Sequence, residues 1–108
     1  MTIGKLSDDP ALVRFREALD GMYGNQVDRV VLFGSRARGD ARLDSDYDVA
    51  VFLKNPGELW DDLGILANIT TTIMNDTGAV ISAKPFPAQA YLRRSPLMTE
   101  IRADGLDL

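Results

Sequence analysis

Two aspartates stand one residue apart at the head of an apolar run in "GSRARGDARLDSDYDVAVF", residues Gly34 to Phe52. Two like charges placed side by side where a buried strand begins repel each other unless something positive binds them. In a strand, residues i and i+2 point to the same face, so Asp46 and Asp48 would present their carboxylates together. Converging carboxylates suit magnesium, which takes oxygen ligands and completes its octahedron with waters and substrate phosphates. Upstream, Gly34 closes another apolar run and has no side chain to keep a phosphate from the backbone. Ser35 adds a hydroxyl and an amide at a candidate helix N-terminus, a natural phosphate seat. Arg36 and Arg38 carry guanidinium groups that could reach the same phosphates. A nucleoside triphosphate bound with magnesium is the simplest ligand that satisfies all of these residues.

Composition narrows the chemistry further. There is no histidine and no cysteine. The commonest general base, the usual zinc site, the Ser-His-Asp arrangement, thiolate chemistry and disulfides are thereby excluded. Catalysis must rest on carboxylates, arginines, lysines, hydroxyls or a metal held by oxygen. A net charge of −4 disfavours direct nucleic-acid binding through the phosphate backbone. The 108 residues, 45% of them hydrophobic, fit one domain with a single core. No apolar run is long enough for a membrane span, and "MTIGKLSDDP" lacks a signal pattern, so a cytoplasmic location is expected.

Six segments must position these groups. Asp9 reads as an N-cap and Pro10 as the first residue of a helix running to Met22, with Leu12, Phe15, Leu19 and Met22 on one stripe and Gly21 and Gly24 as stops. "VDRVVLFG" (27–34) and "YDVAVFL" (47–53) read as strands, the second apolar on both faces and hence covered or central. About a dozen residues join them, too many for a tight hairpin. Asn55, Pro56 and Glu58 read as the start of a helix whose stripe is Leu59, Leu63, Leu66, Ile69 and Ile73, closed by Gly78. "AVISAKPF" (79–86) reads as a third strand, ended by Pro85 and Pro87 and parallel to the second through the intervening helix. Ser95 and Pro96 open a last helix, with Leu97 and Ile101 on one face and Gly105 as its stop. The expected fold class is therefore α/β, or α+β: a short mixed β-sheet with helices packed against it.

Taken singly, each motif is ordinary. Gly-Ser is a turn dipeptide, Asp-x-Asp a solvated strand entry, and the arginines surface charges. Together, Gly-Ser and Asp-x-Asp at one fixed spacing should arise by chance in roughly one chain of this length per thousand. Gly34-Ser35, ten residues, then Asp46-Tyr47-Asp48 resembles the signature of the minimal nucleotidyltransferases in the DNA polymerase β-like superfamily. "SPLMTEIRADG" resembles that family's closing helix less specifically. The resemblance implies one minimal nucleotidyltransferase domain over residues 1–108, with the polymerase β-like fold. It implies that Asp46 and Asp48 are catalytic and bind Mg2+, and that Gly34, Ser35, Arg36 and Arg38 hold the nucleotide. Family members of this size are typically bacterial antitoxins paired with a HEPN-type ribonuclease toxin. They transfer AMP from ATP to a tyrosine of that toxin.

One departure stands out. The superfamily usually carries a third carboxylate on a later strand, but "AVISAKPF" has no acid. Ser82 and Lys84 are its nearest polar candidates, and Asp76 reads as a helix-end residue. Two carboxylates can still hold one magnesium. The same feature fits a catalytically silent antitoxin that acts by binding its toxin. A transferase acting on a small hydroxylated molecule is the third reading, although the chain leaves little room for a deep acceptor pocket.

Overall fold

The computed structural model describes residues 9–42 and 45–108. The first eight residues of the "MTIGKLSDDP" reading, and Leu43 and Asp44 of the loop before the aspartates, lie outside the described residues. The elements are α1 (Pro10–Tyr23), a 3-10 turn (Gly24–Gln26), β1 (Val27–Phe33), α2 (Ser35–Arg38), β2 (Tyr47–Leu53), α3 (Leu59–Thr77), β3 (Ile81–Pro87), a second 3-10 turn (Ala88–Leu92), α4 (Pro96–Asp104) and β4 (Leu106–Asp107). Four strands form one mixed sheet in the order β3-β2-β1-β4. β1 runs antiparallel to β2 and to β4, and β2 runs parallel to β3. Among the described residues, no helix is long and apolar enough to cross a membrane.

β2 is an interior strand with apolar cover on both faces, as its composition demands. Its odd-numbered residues Val49, Val51 and Leu53 pack with Val30 and Leu32 of β1, with Leu12, Phe15 and Leu19 of α1, and with Leu66 and Ile73 of α3. Its even-numbered residues Ala50 and Phe52 pack with Val31 and Phe33, and with Ala90, Met98 and Ile101 on the other side. Period-2 alternation on one strand thus feeds two separate cores.

Local capping chemistry behaves as its residues predict at both ends of the chain. Asp9 Oδ1 accepts from the Ala11 amide at 2.9 Å, and Ser95 Oγ accepts from the Met98 amide at 3.1 Å. Asp9 also accepts through its Oδ2 from the Tyr47 hydroxyl at 2.6 Å, which ties the start of α1 to the start of β2. The far end of α1 is tied to α3 by Tyr23, whose hydroxyl donates to the buried Asp62 at 2.8 Å.

Several expectations are corrected. α1 passes through Gly21 and ends at Tyr23, leaving Met22 exposed. α3 begins at Leu59, with Glu58 as its N-cap and no side-chain capping bond, so residues 55–58 lie outside the helix. Gly57 is a poor helix former beside Pro56, whereas Asp61 and Asp62 stand in the first turn, where acids favour the helix dipole. Leu59, at this first position, is exposed rather than part of the apolar stripe.

The third strand does not end at Pro85 but includes Pro85 and Pro87. β3 is an edge strand, and the Tyr47 amide donates to the carbonyl of Val80 at 2.9 Å. Residues of even number therefore turn their backbone groups to β2. Pro85 and Pro87 point the other way, where a missing N–H costs no ladder bond. The two-residue β4 after α4 is too short to leave a pattern in the sequence. Gly105, which precedes it, is the C-cap that ends α4, as expected, with an ordinary φ of −69°. A Cβ there would run into the carbonyl oxygen of Ile101 and the side chain of Val31. Its bareness lets the end of α4 close onto β1.

Candidate functional site

The antiparallel register pairs Phe33 with Asp48, which brings the end of β1 beside the start of β2. Gly34 follows Phe33 with φ +76°, a conformation that a side chain disfavours. A Cβ on Gly34 would stand 2.5 Å from Asp48 Oδ2. Read from the sequence, this glycine leaves room for a phosphate. The structure supplies a nearer reason: it leaves room for the carboxylate itself. Ser35 then opens the single turn of α2, and its carbonyl accepts from the Asp40 amide at 3.1 Å.

Asp46 lies just before β2 and is exposed, while Asp48 is half-buried inside the strand. Asp48 shares its face with Ala50 and Phe52, the face covered by α4. Burial pushes the Asp48 carboxyl above the usual range, Lys84 opposes that shift, Asp46 and Glu100 add to it, and Arg38 opposes it. These causes name the charged neighbours of the carboxylate. On β3, Ser82 pairs with Asp48 and Lys84 with Ala50. The strand thus offers a hydroxyl and an ammonium on this face and no acid, in line with the composition of "AVISAKPF". Asp76 belongs elsewhere: it sits on α3 and pairs with Arg14 at 2.8 Å, as expected of a helix-end residue.

Arg36 and Arg38 do not act on one side. Residues two apart on a helix point roughly 200° apart. Arg36 Nε donates to the Ser45 carbonyl at 2.9 Å, and its guanidinium lies 4.0 Å from the centre of the Tyr47 ring. With Tyr47, Ser45, Gly78 and Val80 it lines an open cleft of about 410 Å³. The Tyr47 phenol is pushed up by burial and by its bond to Asp9, against the pull of Arg36. Arg38 turns to the α4 side, where it pairs with Glu100 at 3.0 Å and with Asp40 at 3.4 Å. Gly34, Asp46, Asp48 and Arg38 therefore gather at one mouth, and Arg36 serves the flank behind Tyr47.

Two charged residues of this mouth are not evident from the sequence. Glu100 lies 52 positions beyond Asp48 on a helix that its apolar face and Ser95 cap make conspicuous for other reasons. Lys84 reads in the sequence only as a polar residue where an acid is expected. The signal that could have found it is face parity: Ser82, Lys84 and Phe86 alternate on the side that Asp48 shares. Among the described residues, no three acidic side chains gather closely enough to hold a metal by protein ligands alone. The oxygen donors on offer for a cation are Asp46 and Asp48, a hard pair that would leave most of a magnesium shell to water and substrate.

Residues 12–87 match the family model of the nucleotidyltransferase domain. A candidate protein adenylyltransferase of Methanocaldococcus jannaschii is 30% identical over 78 residues, which make up 72% of each chain. The structure of a toxin–antitoxin with AMP-PNP superposes with a TM-score of 0.60 at 14% identity, covering 88% of this chain and 69% of that one. A candidate minimal nucleotidyltransferase superposes with a TM-score of 0.56 at 25% identity, covering 89% and 90% of the two chains. A candidate nucleotidyltransferase from Sulfolobus solfataricus gives 0.59 at 18% identity, covering 99% and 89%. The mixed sheet with helices packed against it is thus a shared fold, and the chain belongs to the nucleotidyltransferase domain family.

Proposed function

We propose that the protein is an antitoxin of the protein-adenylylating kind, which moves AMP from ATP onto a hydroxyl, a tyrosine by preference, of a partner HEPN-type ribonuclease toxin. The observation that carries this reading is the packing of Gly34 against Asp48. It sets a Gly-Ser turn and an Asp pair at one mouth in a chain of the nucleotidyltransferase family. The likeness to a candidate protein adenylyltransferase and the toxin–antitoxin structural neighbours support the acceptor class. Gly34 and Ser35 would offer backbone and hydroxyl to the triphosphate, with Arg38 beside them and Arg36 at the flank. Asp46 and Asp48 would hold Mg2+, which when bound would offset phosphate charge and polarise the α-phosphorus. In the transfer, the acceptor oxygen forms a bond to the α-phosphorus, the bond to the bridging oxygen breaks, and pyrophosphate leaves. A tyrosine hydroxyl, with a pKa of about 10, gives up its proton more readily than an aliphatic alcohol. That suits a site with no acid on β3.

The absence of an acid on β3 also favours a second reading, a silent antitoxin that neutralises its toxin by binding alone. Incubation of the co-encoded protein with ATP, Mg2+ and either the wild type or the Asp46→Asn, Asp48→Asn double variant separates the two. A partner heavier by one or more AMP units with the wild type alone supports transfer. No mass gain with either, together with toxin inhibition by both, establishes the silent reading.

A further inference from the structure

We propose that Lys84 is a phosphate-binding residue: its ammonium, presented by β3 on the Asp48 face of the sheet, takes the anionic tail of the nucleotide that Asp46 and Asp48 would engage through a divalent cation. This assignment rests on the nucleotide reading above and adds a residue to it.

Topology places the group. β3 runs parallel to β2, with Ser82 opposite Asp48 and Lys84 opposite Ala50. Paired residues of neighbouring strands share a face, and the stacked Phe52 and Phe86 rings, 5.6 Å apart, mark that face further along the same two strands. From a strand spacing near 4.8 Å and a rise near 3.3 Å, the Lys84 and Asp48 backbones stand roughly 8 Å apart on the diagonal. A flexible four-carbon stem covers much of that distance. Lys84 and Arg38 are the positive charges that favour the ionised Asp48 carboxylate, against its burial and the charges of Asp46 and Glu100.

Charge supplies the motive. Asp46, Asp48 and Glu100 bring three negative charges to this mouth, and Arg38 and Lys84 bring the positive ones. Arg38 is already held by Glu100 and Asp40. Lys84 is exposed and joins no ion pair within 4.0 Å among the described residues. A magnesium on the aspartates would offset the charge that now attracts the lysine. The ammonium could then turn to phosphate oxygens, for which a compact, mobile cation with three donors is suited.

The test is calorimetric titration of the full chain with ATP, AMP and adenosine, each with Mg2+, using the wild type, Lys84→Ala, Lys84→Arg and Asp48→Asn. Thermal melts would verify that each variant is folded. Lys84→Ala should weaken ATP at least tenfold, AMP less, and adenosine not at all, and Lys84→Arg should retain most of the ATP affinity. If Lys84→Ala binds ATP within twofold of the wild type while Asp48→Asn does not bind it, the lysine only relieves the carboxylate pair and the proposal fails alone. If the wild type itself does not bind ATP, the nucleotide reading falls, and this assignment with it.

Discussion

The two faces of the sheet are built from the same strands to opposite ends. The face under α1 and α3 is apolar along its whole length: Tyr47, Val49, Val51 and Leu53 of β2 all enter one core with Phe15 and Leu66. The face under α4 is apolar only at one end. It passes from Phe52 and Ala50 to the carboxylate of Asp48 within four residues. Alternation lets one strand do both, since successive side chains of β2 enter opposite faces. The α1–α3 face can therefore supply stability while the mouth of the α4 face carries charges that cost it. Charge that costs stability is common at functional sites, and here the charges of the candidate site are confined to one end of one face.

Truncating Phe15, which is fully buried on the stable face, should give the largest effect. Phe15→Ala is expected to destabilise by about 3–5 kcal/mol, through lost burial and a residual cavity. Denaturant unfolding would measure it. A loss below about 1 kcal/mol would mean that this face is not the main source of stability.

Next comes the contact between the faces' shared strand and the Gly-Ser turn. Gly34→Ala forces a side chain into a left-handed backbone and against Asp48 Oδ2. A cost of roughly 1–3 kcal/mol is expected from the backbone alone. Adding Asp48→Ala should recover part of the loss, with a coupling of roughly 0.5–3 kcal/mol. Strict additivity in the double-mutant cycle would show that the carboxylate is not what Gly34 accommodates.

The smallest effect concerns Asp48 without metal. Its folded-state carboxyl is raised above the ordinary value, chiefly by burial. Between the ordinary and the raised value, the folded protein binds more protons than the unfolded chain. Stability from this group is thus fully present below the ordinary aspartate range and is lost as pH rises through the folded value. Asp48→Asn should raise the melting temperature slightly at neutral pH, and the gain should vanish in acid. Melting curves from pH 3 to pH 7 with chelator present would check the sign. A variant less stable than the wild type at pH 7 would show that the ionised carboxylate contributes to the fold.

Legible in the order of residues alone are the features whose cause lies within a few positions. Asp9 and Ser95 mark helix starts because a short oxygen-bearing side chain reaches an amide two or three residues on. "YDVAVFL" announces an interior strand because both of its faces are apolar. The Gly-Ser and Asp-x-Asp pair is readable because its chemistry depends on residue type and spacing. Folding in three dimensions settles what depends on residues far apart in the chain. Pro85 reads as the end of a strand until β3 is known to be an edge, where its missing N–H faces away from β2. Gly34 reads as space for a ligand until the β1–β2 register sets Asp48 against it. Arg36 and Arg38 read as one cluster until the turn of α2 sends them to opposite flanks. Lys84 and Glu100 join Asp48 only because strand order and the return of α4 bring them to its mouth. Residues 36 and 52 positions beyond that aspartate leave no periodic trace of the meeting. Only the folded register, selected by burial of two cores at once, brings them together.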